Sequence, residues 1–95
     1  MKNSKRYDEA EREYREAIQI NSNYAYVHNN LGISLVNLNH YEEAEKEYGE
    51  AIRINPNCAE AHYNLGYLYK EIGKNSEARE EILKAKELFE KRRKN

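Results

Sequence analysis

Apolar residues recur along this chain with the period of a helix. Between Ala25 and Leu38 the apolar positions Val27, Leu31, Leu35 and Leu38 fall three or four residues apart, which places them on one helical face. Between Tyr41 and Ile54 the stripe is Tyr41, Ala44, Tyr48, Ala51 and Ile52. The pattern breaks at Asn21-Ser22-Asn23, Asn39-His40, Asn55-Pro56-Asn57 and Gly73-Lys74-Asn75. Pro56 cannot continue a helix, and Asn and Gly tolerate the turn conformations such breaks need. These signals predict five helices, at 7–20, 25–38, 41–54, 59–72 and 75–92. Linkers this short make sequential helices antiparallel neighbours. Oppositely charged i,i+4 pairs assist: Asp8 with Arg12, Glu11 with Arg15, Glu42 with Lys46, Glu80 with Lys84 and Glu87 with Lys91. Each adds only ~0.2–0.5 kcal/mol, so they do not decide the fold.

The chain also repeats itself at an offset of 34 residues. Tyr7-Asp8-Glu9-Ala10-Glu11-Arg12-Glu13-Tyr14 becomes Tyr41-Glu42-Glu43-Ala44-Glu45-Lys46-Glu47-Tyr48. Ala17-Ile18-Gln19-Ile20-Asn21 becomes Ala51-Ile52-Arg53-Ile54-Asn55, and His28-Asn29-Asn30-Leu31-Gly32 becomes His62-Tyr63-Asn64-Leu65-Gly66. Weaker matches follow at Glu77-Ala78, Glu81 and Ala85.

Period and motif together resemble the tetratricopeptide repeat (TPR) family, whose 34-residue signature is W-x2-L-G-x2-Y, then A-x3-F, then P, in a helix–turn–helix. Here it reads His28-x2-Leu31-Gly32-x2-Leu35, Ala44-x3-Tyr48 and Pro56, then His62-x2-Leu65-Gly66-x2-Tyr69 and Ala78-x3-Ile82. A half unit carries Ala10-x3-Tyr14. The resemblance implies one domain over 1–95: a half repeat at 4–23, full repeats at 24–57 and 58–91, and a basic tail at 92–95. It implies an all-α fold, an α-solenoid of antiparallel helix pairs with a right-handed superhelix. The departures are His for the first aromatic in both full units, Ser22 in the place of Pro56, and Lys86 in the place of Ile18 and Ile52. Lys86 suits a terminal capping helix with a polar outer face. Gly32, Gly66, Ala10, Ala44 and Ala78 read as sites of close helix approach, and Leu31, Leu65, Tyr14 and Tyr48 as filling between repeats.

Composition narrows the function. Hydrophobic residues make up 39% and charged residues 35%, which suits a thin array better than a thick globule. A net charge of −1 gives no general attraction for nucleic acid or anionic membrane, and neither is expected as a partner. The basic run Lys91-Arg92-Arg93-Lys94 reads as a solvated helix end. No stretch approaches the ~20 apolar residues of a membrane span, and the N-terminus resembles no secretory signal. The lone Cys58 fits a reducing compartment, so a cytoplasmic protein is the expectation.

Candidate chemistry is sparse. His28 and His62 sit at equivalent positions, but helices stacked ~8–10 Å apart do not bring both onto one ion, so they read as core. Cys58 and His62 at i,i+4 make at most half a metal site. The chain has no phosphate loop, no zinc-finger spacing and no Ser/His/Asp arrangement. The expectation is a non-enzyme without cofactor or metal.

By resemblance, the first helix of each repeat lines a concave face where partner peptides lie. The outward residues there are Tyr26, Asn29, Asn30, Ile33, Val36 and Asn37, and Glu60, Tyr63, Asn64, Tyr67, Lys70 and Glu71. Aromatics beside amides suit capture of a protein or peptide partner, with Asn30 and Asn64 able to hold an extended backbone. The family's carboxylate clamp is not expected. Asn29 and Ile33 stand where it wants Lys and Asn, and only Asn64 matches. The rival reading is self-association as a homo-oligomer. Helix 7–20 begins mid-unit, and its apolar residues Tyr7, Tyr14 and Ile18 lack a preceding partner, Met1-Lys2-Asn3 being at best the last turn of one. Such a chain also reads as a piece of a longer repeat protein, or as a repeat design.

Overall fold

The computed structural model describes residues 4–94. They form five helices: α1 (Ser4–Ile20), α2 (Ala25–Asn37), α3 (Tyr41–Ile54), α4 (Ala59–Glu71) and α5 (Asn75–Lys94). No strand occurs among the described residues. The expectation for Met1-Lys2-Asn3 lies outside them. Each helix packs on the next in sequence, and α2 also touches α4, giving an α-solenoid. No helix is long and apolar enough to cross a membrane.

The helix ends show why the period is 34. α2 and α4 stop one residue before the predicted ends, at a Schellman turn. Asn39 and its repeat counterpart Gly73 take left-handed φ values of 66° and 85°. Behind them the His40 N–H donates to the Leu35 carbonyl and the Lys74 N–H to the Tyr69 carbonyl, both at 2.8 Å. The other junction repeats as well. The Asn21 side-chain oxygen accepts from the Asn23 N–H at 2.9 Å, and that of Asn55 from the Asn57 N–H at 3.1 Å. These Asx turns reverse the chain between repeats.

The core is Leu31, Leu35, Ala44, Tyr48, Leu65 and Leu68, with Tyr14, Ile18, Val36, Tyr41, Ile52 and Tyr69 packed around it. It therefore centres on α2, α3 and α4. Gly32 admits the Tyr48 ring: a Cβ there would lie 2.5 Å from Tyr48 Cε1. Gly66 does the same for α5, where a Cβ would lie 2.7 Å from Ile82 Cγ1 and 3.2 Å from the Ala78 carbonyl oxygen.

His28 and His62 are buried, as expected, but they do more than fill space. His28 Nε2 lies 2.8 Å from the Ser22 carbonyl oxygen and Nδ1 2.8 Å from Glu47. His62 repeats this with the Pro56 carbonyl at 2.8 Å and Glu81 at 2.6 Å. A carbonyl only accepts, so Nε2 donates to it, and Nδ1 faces the glutamate carboxylate. Each His thus ties the inter-repeat turn to the second helix of its own repeat. The turn contributes only a backbone oxygen, which explains why Ser22 and Pro56 serve equally.

Surface ion pairing departs from the predicted pattern. Of the five i,i+4 pairs, Glu11–Arg15 closes at 3.0 Å, and Arg15 also reaches Glu43 of α3 at 3.0 Å. Lys84 approaches Glu87 at 3.9 Å, and Arg53 pairs with Glu50, both at i,i+3. An exposed pair is worth less than ~1 kcal/mol, so several geometries compete on equal terms.

Two of the three helical glycines, Gly32 and Gly49, should respond oppositely to substitution. Gly49 has open space where a Cβ would go, so Gly49→Ala gains about 0.5–1 kcal/mol from helix propensity. Gly32→Ala collects the same gain but must displace the buried Tyr48 ring, at about 1–3 kcal/mol for overpacking, for a net loss. Urea denaturation of the two variants checks the signs.

Candidate functional site

The candidate site is the face shared by α2 and α4, the first helices of the two full repeats. Tyr26, Ile33, Tyr63 and Tyr67 are all exposed there, as the sequence predicts. Asn30 and Asn64 are half-buried, and Lys70 is exposed. Asn29 departs from its expected outward position. It is 4% exposed, because its side-chain oxygen accepts a hydrogen bond from Asn64 Nδ2 at 3.0 Å. The pair joins the two repeats beneath the face. Asn64 therefore keeps its side-chain carbonyl oxygen and one amide N–H for a partner. Asn37 likewise spends a donor locally, on the Ile33 carbonyl at 2.9 Å.

Between the two helices lies a cavity of about 220 Å³ lined by Ile33, Val36, Asn37, Tyr48, Asn64, Tyr67, Leu68 and Glu71. Its floor includes Tyr48, whose phenol burial pushes well above the ordinary tyrosine value. Tyr48 thus stays neutral, and the floor carries no charge.

Beside the cavity stands an aromatic shelf. The Tyr63 and Tyr67 rings lie 4.8 Å apart, tilted by 52°, and Phe89 of α5 meets Tyr63 edge-on at 6.4 Å. Hydrogen bonding to Tyr67 raises the Tyr63 pKa, so Tyr63 remains a hydroxyl near neutrality. The Lys70 ammonium is 5.9 Å from the Tyr67 centroid, and the Arg92 guanidinium 5.3 Å from that of Phe89. Arg92 also donates to both Glu60 oxygens, at 2.7 and 3.2 Å, and these bonds hold the Glu60 carboxyl below its ordinary value.

Phe89 and Arg92 were missing from the sequence-derived site, which considered only first helices. The signal was present. One repeat earlier, Phe89 aligns with Asn55, beyond the end of α3, and Glu90 stands where Pro56 stops the helix. With no stop, α5 runs for 20 residues against 14 in α3 and brings Phe89 onto the shelf.

The α1 residues behave differently from the groove. Tyr7, Tyr14 and Ile18 are half-buried, and Tyr14 and Ile18 already pack on the core. The most exposed large apolar residue of α1 is Ile20, at 87%. Cys58 is half-buried, and His62 beside it has both ring nitrogens engaged. Among the described residues no three His, Cys, Asp or Glu come together as metal ligands would.

Paired helices in a 34-residue period, with an aromatic and amide face, define a helical-repeat protein of the protein-interaction type. Profiles described as TPR repeat match residues 3–39 and 34–73, and one described as tetratricopeptide repeat matches 59–92. The chain belongs to the tetratricopeptide repeat family. No curated protein sequence matches it. Among solved structures it is similar to the second TPR of Spaghetti (RPAP3) bound to the HSP90 peptide SRMEEVD, at 26% identity over 86% of this chain and 76% of that one, with a TM-score of 0.83. A crystal structure of MamA matches at 28% identity over 95% of this chain and 53% of that one, TM-score 0.87. Another MamA structure, MSR-1 C2, matches at 30% identity over 90% and 49%, TM-score 0.82. The chain thus spans about half the length of the MamA chains.

The Asn29–Asn64 bond gives a direct test of how the face is held. Asn29→Ala should cost about 1 kcal/mol. In a double-mutant cycle with Asn64→Ala the two losses should be non-additive by about 0.5–1 kcal/mol, read from denaturation midpoints. Strict additivity would show that the bond does not couple the repeats.

Proposed function

We propose that this chain is a non-catalytic module that binds an extended peptide segment of a partner protein along the α2–α4 face. The observation that carries the reading is the contiguity of Ile33, Tyr63, Tyr67 and Phe89, all exposed, beside the cavity between the two helices. Monomer surfaces seldom hold aromatics together with nothing to cover them. Tyr residues lose little conformational freedom on binding and present both an apolar ring and a hydroxyl. Asn30 and Asn64, half-buried between them, supply amide groups for a peptide backbone. The peptide held by the RPAP3 domain supports the mode of use, though this chain shares 26% identity with it. A lone, half-buried Cys58 suits a cytoplasmic setting.

A second reading, self-association through α1, draws on the exposed Ile20 next to half-buried Tyr7, Tyr14 and Ile18. Sedimentation at several concentrations separates the two. A strict monomer that stays folded when dilute removes the second reading.

The groove itself is tested with a partner recovered by pull-down and then titrated as a synthetic peptide. Replacing Tyr63, Asn64 and Tyr67 together by Ala should weaken that peptide by about 30-fold or more while helical circular dichroism persists. Unchanged affinity would place the binding surface elsewhere.

A further inference from the structure

We propose that the cavity between α2 and α4 is a subsite for a long basic side chain, lysine or arginine, of the bound segment. The inference rests on the groove reading above and adds the chemistry of the anchor.

Three observations carry it. First, the walls are apolar and the space is small. Ile33, Val36, Leu68 and the Tyr67 ring supply the apolar side of an open cleft of about 220 Å³, room for one long side chain. A lysine or arginine stem covers such walls while its charged head stays at the opening. Second, Glu71 is the single charged residue in the lining. Its side chain is exposed and makes no hydrogen bond or ion pair among the described residues. Lys70, its neighbour, lies over the Tyr67 ring.

Third, the cavity sits at the C-terminal turns of two helices. Ile33 and Val36 lie in the last five residues of α2, and Tyr67, Leu68 and Glu71 in the last five of α4. The negative ends of both helix dipoles therefore favour a cation there. An acidic anchor would meet the Glu71 carboxylate and both dipoles. An aliphatic one would fill the walls but leave the carboxylate unpaired. The basic side chain alone satisfies both halves of the cavity.

The test uses the full chain and pools of fluorescein-labelled, N-acetylated hexapeptides, each pool with one position fixed as lysine, arginine, norleucine or glutamate. Fluorescence polarisation reads the affinities. At one position the lysine or arginine pool should bind about two- to fivefold more tightly than the norleucine pool. High salt should shrink the difference. Glu71→Gln should bring the basic pools to the norleucine level, and Glu71→Lys should reverse the order. Both changes fall on an exposed helix end, and circular dichroism confirms that the helices persist. If pools bind but norleucine or glutamate ranks first, or the ranking ignores Glu71→Gln, the subsite is wrong and the groove stands. If no pool binds, or binding is indifferent to Tyr67→Ala, the groove reading falls with it.

Discussion

The packing of the Tyr48 ring on the bare backbone of Gly32 sets the geometry of this molecule. A side chain as small as a methyl at Gly32 would meet that ring at 2.5 Å, so the two helices can be this close only because position 32 has no Cβ. The approach buries Tyr48 to 2% exposure among Leu31, Leu35, Leu65 and Leu68. Tyr48 also lines the floor of the α2–α4 cavity. One contact therefore fixes the core and the depth of the candidate site. A change that moves the ring alters stability and binding together.

Around that contact the fold is held by polar devices that repeat with the sequence. The Schellman turns at Asn39 and Gly73, the Asx turns at Asn21 and Asn55, and the His–Glu ties at His28 and His62 each occur twice, 34 residues apart. A small helical array has little apolar surface to bury, and these bonds satisfy the chain reversals that would otherwise cost it. The ties also use both nitrogens of each histidine, which leaves neither free for a metal.

Much of this was legible beforehand, for a physical reason. Helix positions follow from apolar spacing and from Asn, Gly and Pro at the breaks, which are local signals. The ends of α2 and α4 fell one residue early because Leu38 and Ile72 are apolar yet serve as caps, where hydropathy is uninformative. The groove was half legible. Tyr26, Ile33, Tyr63 and Tyr67 followed from helical phase alone. The burial of Asn29 did not, because it depends on a cross-repeat hydrogen bond to Asn64 that phase cannot show. Phe89 was missed because α5 was read as a polar cap, although its uninterrupted length foretold the extra contact.

Comparing the two full repeats with each other separates scaffold from site. Leu31, Gly32 and His28 recur as Leu65, Gly66 and His62, and all six are structural. On the α2–α4 face the counterparts differ: Asn29 with Tyr63, Ile33 with Tyr67, Val36 with Lys70 and Asn37 with Glu71. Only Asn30 and Asn64 are shared there. Packing between identical units demands identical residues, since each repeat must present its neighbour with the same surface. A groove that reads a partner has no such demand, because each turn of it meets a different part of the ligand. The α2 side supplies aliphatic wall, and the α4 side supplies aromatic shelf and charge. A ligand crossing from one to the other would pass from an apolar environment to the Glu71 carboxylate, which gives the face a direction as well as a shape.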